Sequence, residues 1–364
     1  MALLASSGAA AQQFPVEREI PVSAGEMLEM DLDAGGSIEI VGGAGSVVHV
    51  RVTEDDRGCR PACEVSIEKV GSGVWVISDH VSDSNIRSGD LHFEIQVPQR
   101  FNLRLNTMGG DISIENVTGD ISGETMGGEL ELHRLGGTID LTTMGGEIEI
   151  TDSNVDGRVH TMGGEVLVEN VTGNLDAGSM GGEVTRRGGA VATSEIQIET
   201  MGGDIELSDA PLGADVHTMG GDIEIASAGD HVKARTMGGD IDLEAVNGWI
   251  EATTMGGDVE VRMVGDPSTG RRDVEITSMS GDIELTVPAG LSMNVVVELT
   301  FTEGHEGDYE ITSDLALQQS ITPEWDHSNG SPRKVITATG SANGGEHEVR
   351  LKTVNGDVTL HVTG

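Results

Sequence analysis

The sequence predicts an all-β fold, a parallel β-solenoid with 18-residue coils, two strands per coil and less regular β segments as caps. Three observations carry that expectation. The tetrapeptide Thr-Met-Gly-Gly and its close variants place methionine at 108, 126, 144, 162, 180, 201, 219, 237, 255 and 279, at intervals of 18 residues except for one of 21 and one of 24. Ten copies at a nearly fixed period mark a repeat architecture. Each copy is followed by alternating polar and apolar residues, as in Asp204-Ile205-Glu206-Leu207, the period of a strand with one buried face. Finally, aromatic residues make up 2% of the chain while glycine reaches 53 of 364 residues. Such a composition suits many thin aliphatic layers better than a core of large rings.

Each element of the coil follows from the repeat. The Gly-Gly pair is a turn, because glycine lacks the Cβ that restricts other residues. Half a period later come looser turns, at Asn116-Val117-Thr118-Gly119-Asp120, Asn170-Val171-Thr172-Gly173-Asn174 and Asn247-Gly248, each followed by a second short strand such as Trp249–Ala252. Stacked coils would align two aliphatic columns. One holds Ile112, Leu130, Ile148, Val166, Val184, Ile205, Ile223, Ile241, Val259 and Ile283, and the other starts two residues later. Arg186 breaks the second column, in the coil lengthened to 21 residues, and is expected to escape to solvent on a bulge. The 24-residue interval holds an insertion around Asp266–Gly270.

The regular solenoid is expected over 106–286. Residues 12–105 form an N-terminal β cap and first coils, with repeat-like Gly35–Ile40 and alternation over Val47–Val52 and Leu91–Val97. Residues 287–364 form C-terminal coils and a cap, with a late copy at Thr353–Leu360. Open solenoid ends need such caps because unpaired strand edges invite aggregation. Residues 1–11, small and apolar, read as the remnant of a secretory signal peptide or as a disordered tail. The expected location is accordingly outside the cytoplasm: periplasmic, envelope-bound or extracellular. Cys59 and Cys63 read as a short disulfide or free thiols, since no second Cys or His pair completes a metal site.

The acidic balance excludes some function classes. With 62 acidic residues against 21 Lys plus Arg, the formal net charge is −41. That field repels nucleic acid and anionic lipid and attracts cations. No stretch approaches the roughly 20 apolar residues of a transmembrane helix. A carboxylate stands three residues after every repeat methionine, and a second column stands two further on. Asp204, Glu206, Asp222, Glu224, Asp240, Asp242, Asp258 and Glu260 are therefore the candidates for attracting a divalent cation such as calcium, against the plainer reading of a solvated acidic face.

The methionine column is expected to fill the corner beside Gly-Gly, its rival role being capture of a soft ion such as Cu(I). The Thr column is expected to bond the turn backbone. His160 and His217 share a column position but lie too many coils apart to share a metal. No nucleophile–base arrangement emerges, so no catalytic residue and no cofactor are expected.

The Thr-Met-Gly-Gly-Asp-Ile-Glu-Ile units, the Val354–Val358 copy and the Val287–Gly290 entry to the C-terminal part resemble the bacterial "putative adhesin" family of β-strand-repeat proteins. The resemblance implies a parallel β-helix in an exported or envelope-associated protein, and carries over no functional residues. The function expected is a non-enzymatic structural or adhesin-like interaction protein, meeting a protein or glycan partner at the envelope or associating with itself. The alternatives are a divalent-cation-binding module and a carbohydrate-active enzyme with a cleft near Arg186–Arg187 or Arg271–Arg272.

Overall fold

A computed structural model describes residues 12–54, 63–80, 91–189, 195–328 and 330–363. The signal-peptide reading of residues 1–11 and Cys59 fall outside these. The chain divides into two compact units, residues 1–163 and 164–364, each built of parallel β coils.

In the first unit, strands Thr118–Thr125, Gly136–Thr143 and Asn154–Thr161 run parallel in successive coils, with Ile121 against Ile139 and Thr125 against Thr143 and then Thr161. Strands Ile112–Glu115, Leu130–His133 and Ile148–Thr151 form the second wall, with Ile112, Leu130 and Ile148 in register. Every pairing joins residues 18 apart, and the aligned aliphatic side chains are buried. The looser corner turns on a residue with positive φ, at Asn116 (59°), Arg134 (52°) and Asp152 (50°). Asn and Asp enter that region more readily than other side-chain-bearing residues.

The same unit closes its open end with an excursion. Strands Met27–Leu32 and Ser37–Gly43 make the first coil and pair with Asn102–Thr107 and Ile112–Glu115. Between them in sequence, Gly73–His80 and Leu91–Pro98 add parallel strands on the other side of that coil. Antiparallel strands then cover it: Val16–Pro21 pairs with Val47–Glu54, which pairs with Leu91–Pro98, and Cys63–Val70 pairs with Gly73–His80. Cys63 is disulfide-bonded.

The second unit repeats the scheme. Val184–Arg187, Ile205–Leu207, Ile223–Ile225 and Ile241–Thr254 stack with Val184, Ile205, Ile223 and Ile241 in register. Asn247-Gly248, expected as a turn, lies inside the long strand Ile241–Thr254. Its pairing to Ala228–Arg235 runs unbroken through that position, while its register to Val259–Met263 shifts between Leu243 and Val246. The last coil is His347–Val354 and Val358–Val362, seated on Val274–Ser278 and Ile283–Val287. The intervening excursion adds Met293–Thr302 parallel to the last coil, then antiparallel Arg333–Ala342 and Gln318–Ile321. Each unit therefore has one end covered by antiparallel strands inserted beside a terminal coil.

Arg186 corrects the sequence expectation. It does not reach solvent: it is 4% exposed and stays in the inward column, in register with Val168 and Leu207. Its guanidinium donates to the Val171 carbonyl at 3.3 Å, and burial lowers its pKa. The strand does not bulge because Arg187, one residue on, already faces outward, where it pairs with Glu206 at 2.6 Å.

Candidate functional site

The Thr-Met-Gly-Gly corner is the most repeated local structure, and its four positions do different things. The Thr hydroxyl is buried and donates to the glycine carbonyl of the preceding coil: Thr143 to Gly128 at 2.7 Å, Thr161 to Gly146 at 2.8 Å, Thr236 to Gly221 and Thr254 to Gly239 at 2.9 Å. It also accepts from the second glycine N–H of its own corner, as Thr143 does from Gly146 at 3.2 Å. The expected hydroxyl-to-backbone role holds, as a continuous ladder within each unit.

The second glycine is required by stacking. A Cβ on Gly146 would collide with the Gly128 carbonyl oxygen, and one on Gly239 with that of Gly221. The first glycine is not: a Cβ on Gly145 would come no nearer than 3.8 Å to Gly127, and Ser280 occupies the same position.

The methionines depart from expectation. Filling the corner would bury them, yet Met108, Met126, Met144, Met162, Met180, Met201, Met219, Met237, Met255 and Met279 are 39–57% exposed. The Thr hydroxyl and the bare glycine already close the corner, so no interior space remains and the thioethers stand outside it.

The carboxylates separate into two kinds. Asp204, Asp222, Asp240 and Asp258 are exposed, and each uses Oδ1 to accept the backbone N–H of the equivalent residue one coil on, at 2.7–2.8 Å, and Asp282 in turn accepts the Asp357 N–H at 2.7 Å. The column is thus a ladder of charge-assisted bonds that leaves each carboxylate one uncommitted oxygen. Glu206, Glu224, Asp242 and Glu260 align in the second column. There Asp242 has its pKa raised by burial and by Glu260, Glu244 and Glu224. A depression of about 480 Å³ lies beside it, lined by Asp242, Glu244, Glu260 and Arg262 among others. Among the described residues, no group of three or more His, Cys, Asp or Glu is placed to hold a metal ion.

One outward face of the second unit breaks the acidic monotony. Asp215, Lys233, Glu251, Glu275 and Arg350 line up across successive strands. Lys233 pairs with Asp215 at 3.3 Å, and Arg235 with Glu251 at 2.5 Å. One column over, the His231 ring stacks on Trp249, with centroids 4.9 Å apart and planes 8° from parallel. The Arg271 guanidinium sits 4.7 Å from the Trp249 ring centre. His231 Nε2 meets Glu195 at 3.0 Å, and Arg271 donates to Asp273 at 2.6 Å. Hydrogen bonds from Gln197 and His231 lower the Glu195 pKa against burial. At Asp273, burial opposes a drop that bonds from Glu348 N–H and Arg271 impose. Trp249, Arg271, Asp273, Glu348 and Arg350 border a depression of about 150 Å³.

Sequence reasoning placed Trp249 on a strand but missed this cluster. The usable signal was a tryptophan 18 residues after a histidine, hence one coil above it. Arg271 does fall beside this depression. Arg272 instead is 2% exposed and ties down the inserted loop, bonding the Val264 and Asp266 carbonyls and Asn247 Oδ1 at 2.6–3.0 Å. Arg187 is committed to Glu206. Among the described residues, no helix is long and apolar enough to cross a membrane.

No curated protein matches the chain. A solved structure from Clostridium sporogenes, described as "a putative cell adhesion protein", aligns over 96% of this chain and 100% of its own at 9% identity, with a TM-score of 0.19. The model of the Toastrack DUF4097 family matches twice, over residues 79–226 and 188–361. With the repeat, the stacked coils and that match covering most of its length, the chain belongs to the Toastrack DUF4097 family.

Proposed function

We propose that the protein is a non-enzymatic interaction module working outside the cytoplasm, whose outward strand faces bind a protein or glycan partner at the cell envelope. The observation that carries this reading is the Trp249 face. It is a register-locked array of mixed charge around a stacked His–Trp–Arg core, on a chain otherwise dominated by carboxylate. Adjacent strands hold those side chains in place with little rotamer freedom left to lose on binding. Catalysis would need one carboxylate set apart from its neighbours as acid or base. The column of Asp204, Asp222, Asp240 and Asp258 instead repeats nearly the same exposed, backbone-bonded environment coil after coil, while Asp242 in the second column is set apart by its raised pKa.

The test pairs binding with turnover. Residues 12–364 should bind isolated envelope material or a glycan array saturably, with binding weakened at least tenfold by Trp249→Ala and Arg271→Glu, and no glycan should be cleaved. Turnover abolished by a single Glu→Gln substitution would overturn the reading. So would recovery of the full-length chain from the cytosolic fraction of the native host. The divalent-cation alternative has less support, because the Asp ladder commits one oxygen of each carboxylate to backbone.

A further inference from the structure

Across the ten Thr-Met-Gly-Gly corners methionine does not vary, while the Thr, Asp and Ile positions drift to Ser, Glu and Val or Leu; in the late copy Val354 stands at the methionine position, although Gly356 keeps the second glycine. The glycine has a steric reason and the methionine has none. Its side chain is 39–57% exposed, so a polar residue would suit the position better and a leucine equally well by size. What ten methionines share, and leucine lacks, is a thioether.

In the second unit Met201, Met219, Met237 and Met255 lie on successive coils. Ideal Cβ positions on Gly220, Gly238 and Gly256 fall 3.6–3.8 Å from the carbonyl oxygens of Met201, Met219 and Met237, so each corner rests on the one before. Coils stack at about 4.8 Å. A soft ion bound linearly between two sulfurs, with bonds of about 2.3 Å, needs them about 4.6 Å apart. The flexible methionine side chain absorbs the difference. The exposed Asp204, Asp222, Asp240 and Asp258 follow each methionine by three residues and supply a field that draws cations to this edge.

We propose that the methionine column binds a soft monovalent metal ion, Cu(I) or its analogue Ag(I), held between thioethers of successive coils. No redox step is involved: the ion arrives and leaves as the monovalent species. The site does not depend on the Trp249 face and takes no ligand from it.

The test uses the full chain under anaerobic, reducing conditions. Cu(I) is titrated in competition with a chromophoric Cu(I) chelator, and Ag(I) is titrated by calorimetry as a redox-inert probe. Wild type should retain several ions, with a sulfur-only first shell near 2.3 Å in copper-edge absorption. The quadruple variant M201L/M219L/M237L/M255L should keep the metal-free melting temperature and circular dichroism but retain fewer ions than wild type, losing those of the second unit while Met108, Met126, Met144 and Met162 remain to bind. Peroxide oxidation of wild type to methionine sulfoxide should also lower the number of ions retained, which guards against a variant that fails to fold. Uptake equal in wild type and variant, a nitrogen or oxygen shell, or no uptake by wild type would each overturn the proposal.

Discussion

At the residue scale the corner separates steric necessity from chemical choice, and paired substitutions read the difference. Gly146→Ala sets a methyl group against the Gly128 carbonyl, which is backbone and cannot rotate away. The expected loss is about 3 kcal/mol or more, in the range of forced strain in a packed interior. Gly145→Ala meets nothing within 3.8 Å and should fall within about 0.5 kcal/mol of wild type. Denaturant melts of the two variants decide it, and equal losses would mean that the coils do not stack as described. Thr143→Val keeps the shape but strips the bond to Gly128 O and the acceptor for Gly146 N–H. Both groups are buried, so the change should cost about 1–3 kcal/mol. Thr143→Ser should be nearly neutral, since Ser179 and Ser278 make the same bonds at 2.8 and 2.9 Å.

At the scale of the strand, two inward or half-buried charges are out of keeping with their columns. Arg186 sits between Val168 and Leu207 and spends its guanidinium on one carbonyl at 3.3 Å. Replacing a buried charge by an apolar chain of similar length is often neutral or stabilising. Arg186→Met should therefore hold or raise the melting temperature, while Arg186→Ala lowers it by leaving a cavity. Asp242 presents the opposite face of the problem. Burial and the neighbouring Glu260, Glu244 and Glu224 raise its pKa, so the folded state binds the proton more tightly than the unfolded chain. Stability from this residue is present when it is protonated and falls as pH rises through the folded pKa. Asp242→Asn should then stabilise at neutral pH, with the gain shrinking as the pH drops toward the ordinary carboxylate range. A gain that grew on acidification would refute the assignment.

These strands also show what the sequence made legible. Alternation and an 18-residue period sufficed for strand positions, register and the buried Ile columns, because one period fixes both facing and stacking. It did not suffice for Met108 or Arg186. Apolar character suggested burial for the one, and charge suggested exposure for the other. In both cases direction was set by which side of the corner or strand the backbone presents, a three-dimensional fact that hydropathy does not encode. The His231–Trp249–Arg271 stack escaped notice for a related reason, since Arg271 reaches it from an insertion that disturbs the period.

At the scale of the whole molecule the dominant quantity is the net charge of −41. Folding gathers carboxylates into columns one coil apart, closer than an unfolded chain holds them, so their mutual repulsion opposes the compact state. The Asp204–Asp258 ladder offsets part of this by turning single carboxylate oxygens toward backbone N–H groups. The second column has no such bond between its aligned Glu224, Asp242 and Glu260. Added salt acts on exposed charges by shortening the screening length, from about 30 Å at 0.01 M to about 10 Å at 0.1 M. The melting temperature should therefore rise by several degrees between 10 and 200 mM NaCl and level off beyond. Because the chain has two compact units, each transition is followed separately. Calcium compared at matched ionic strength then sorts a diffuse field from a site. A field responds to both salts gradually, with only a modest excess for the divalent ion. A site gives a saturable calcium-specific shift that grows with the logarithm of free calcium once sites are filled. The committed oxygens of the Asp ladder favour the gradual response. A saturating calcium shift abolished by Asp242→Asn, and unaffected by Asp222→Asn, would place a real cation site on the second column and reverse that conclusion.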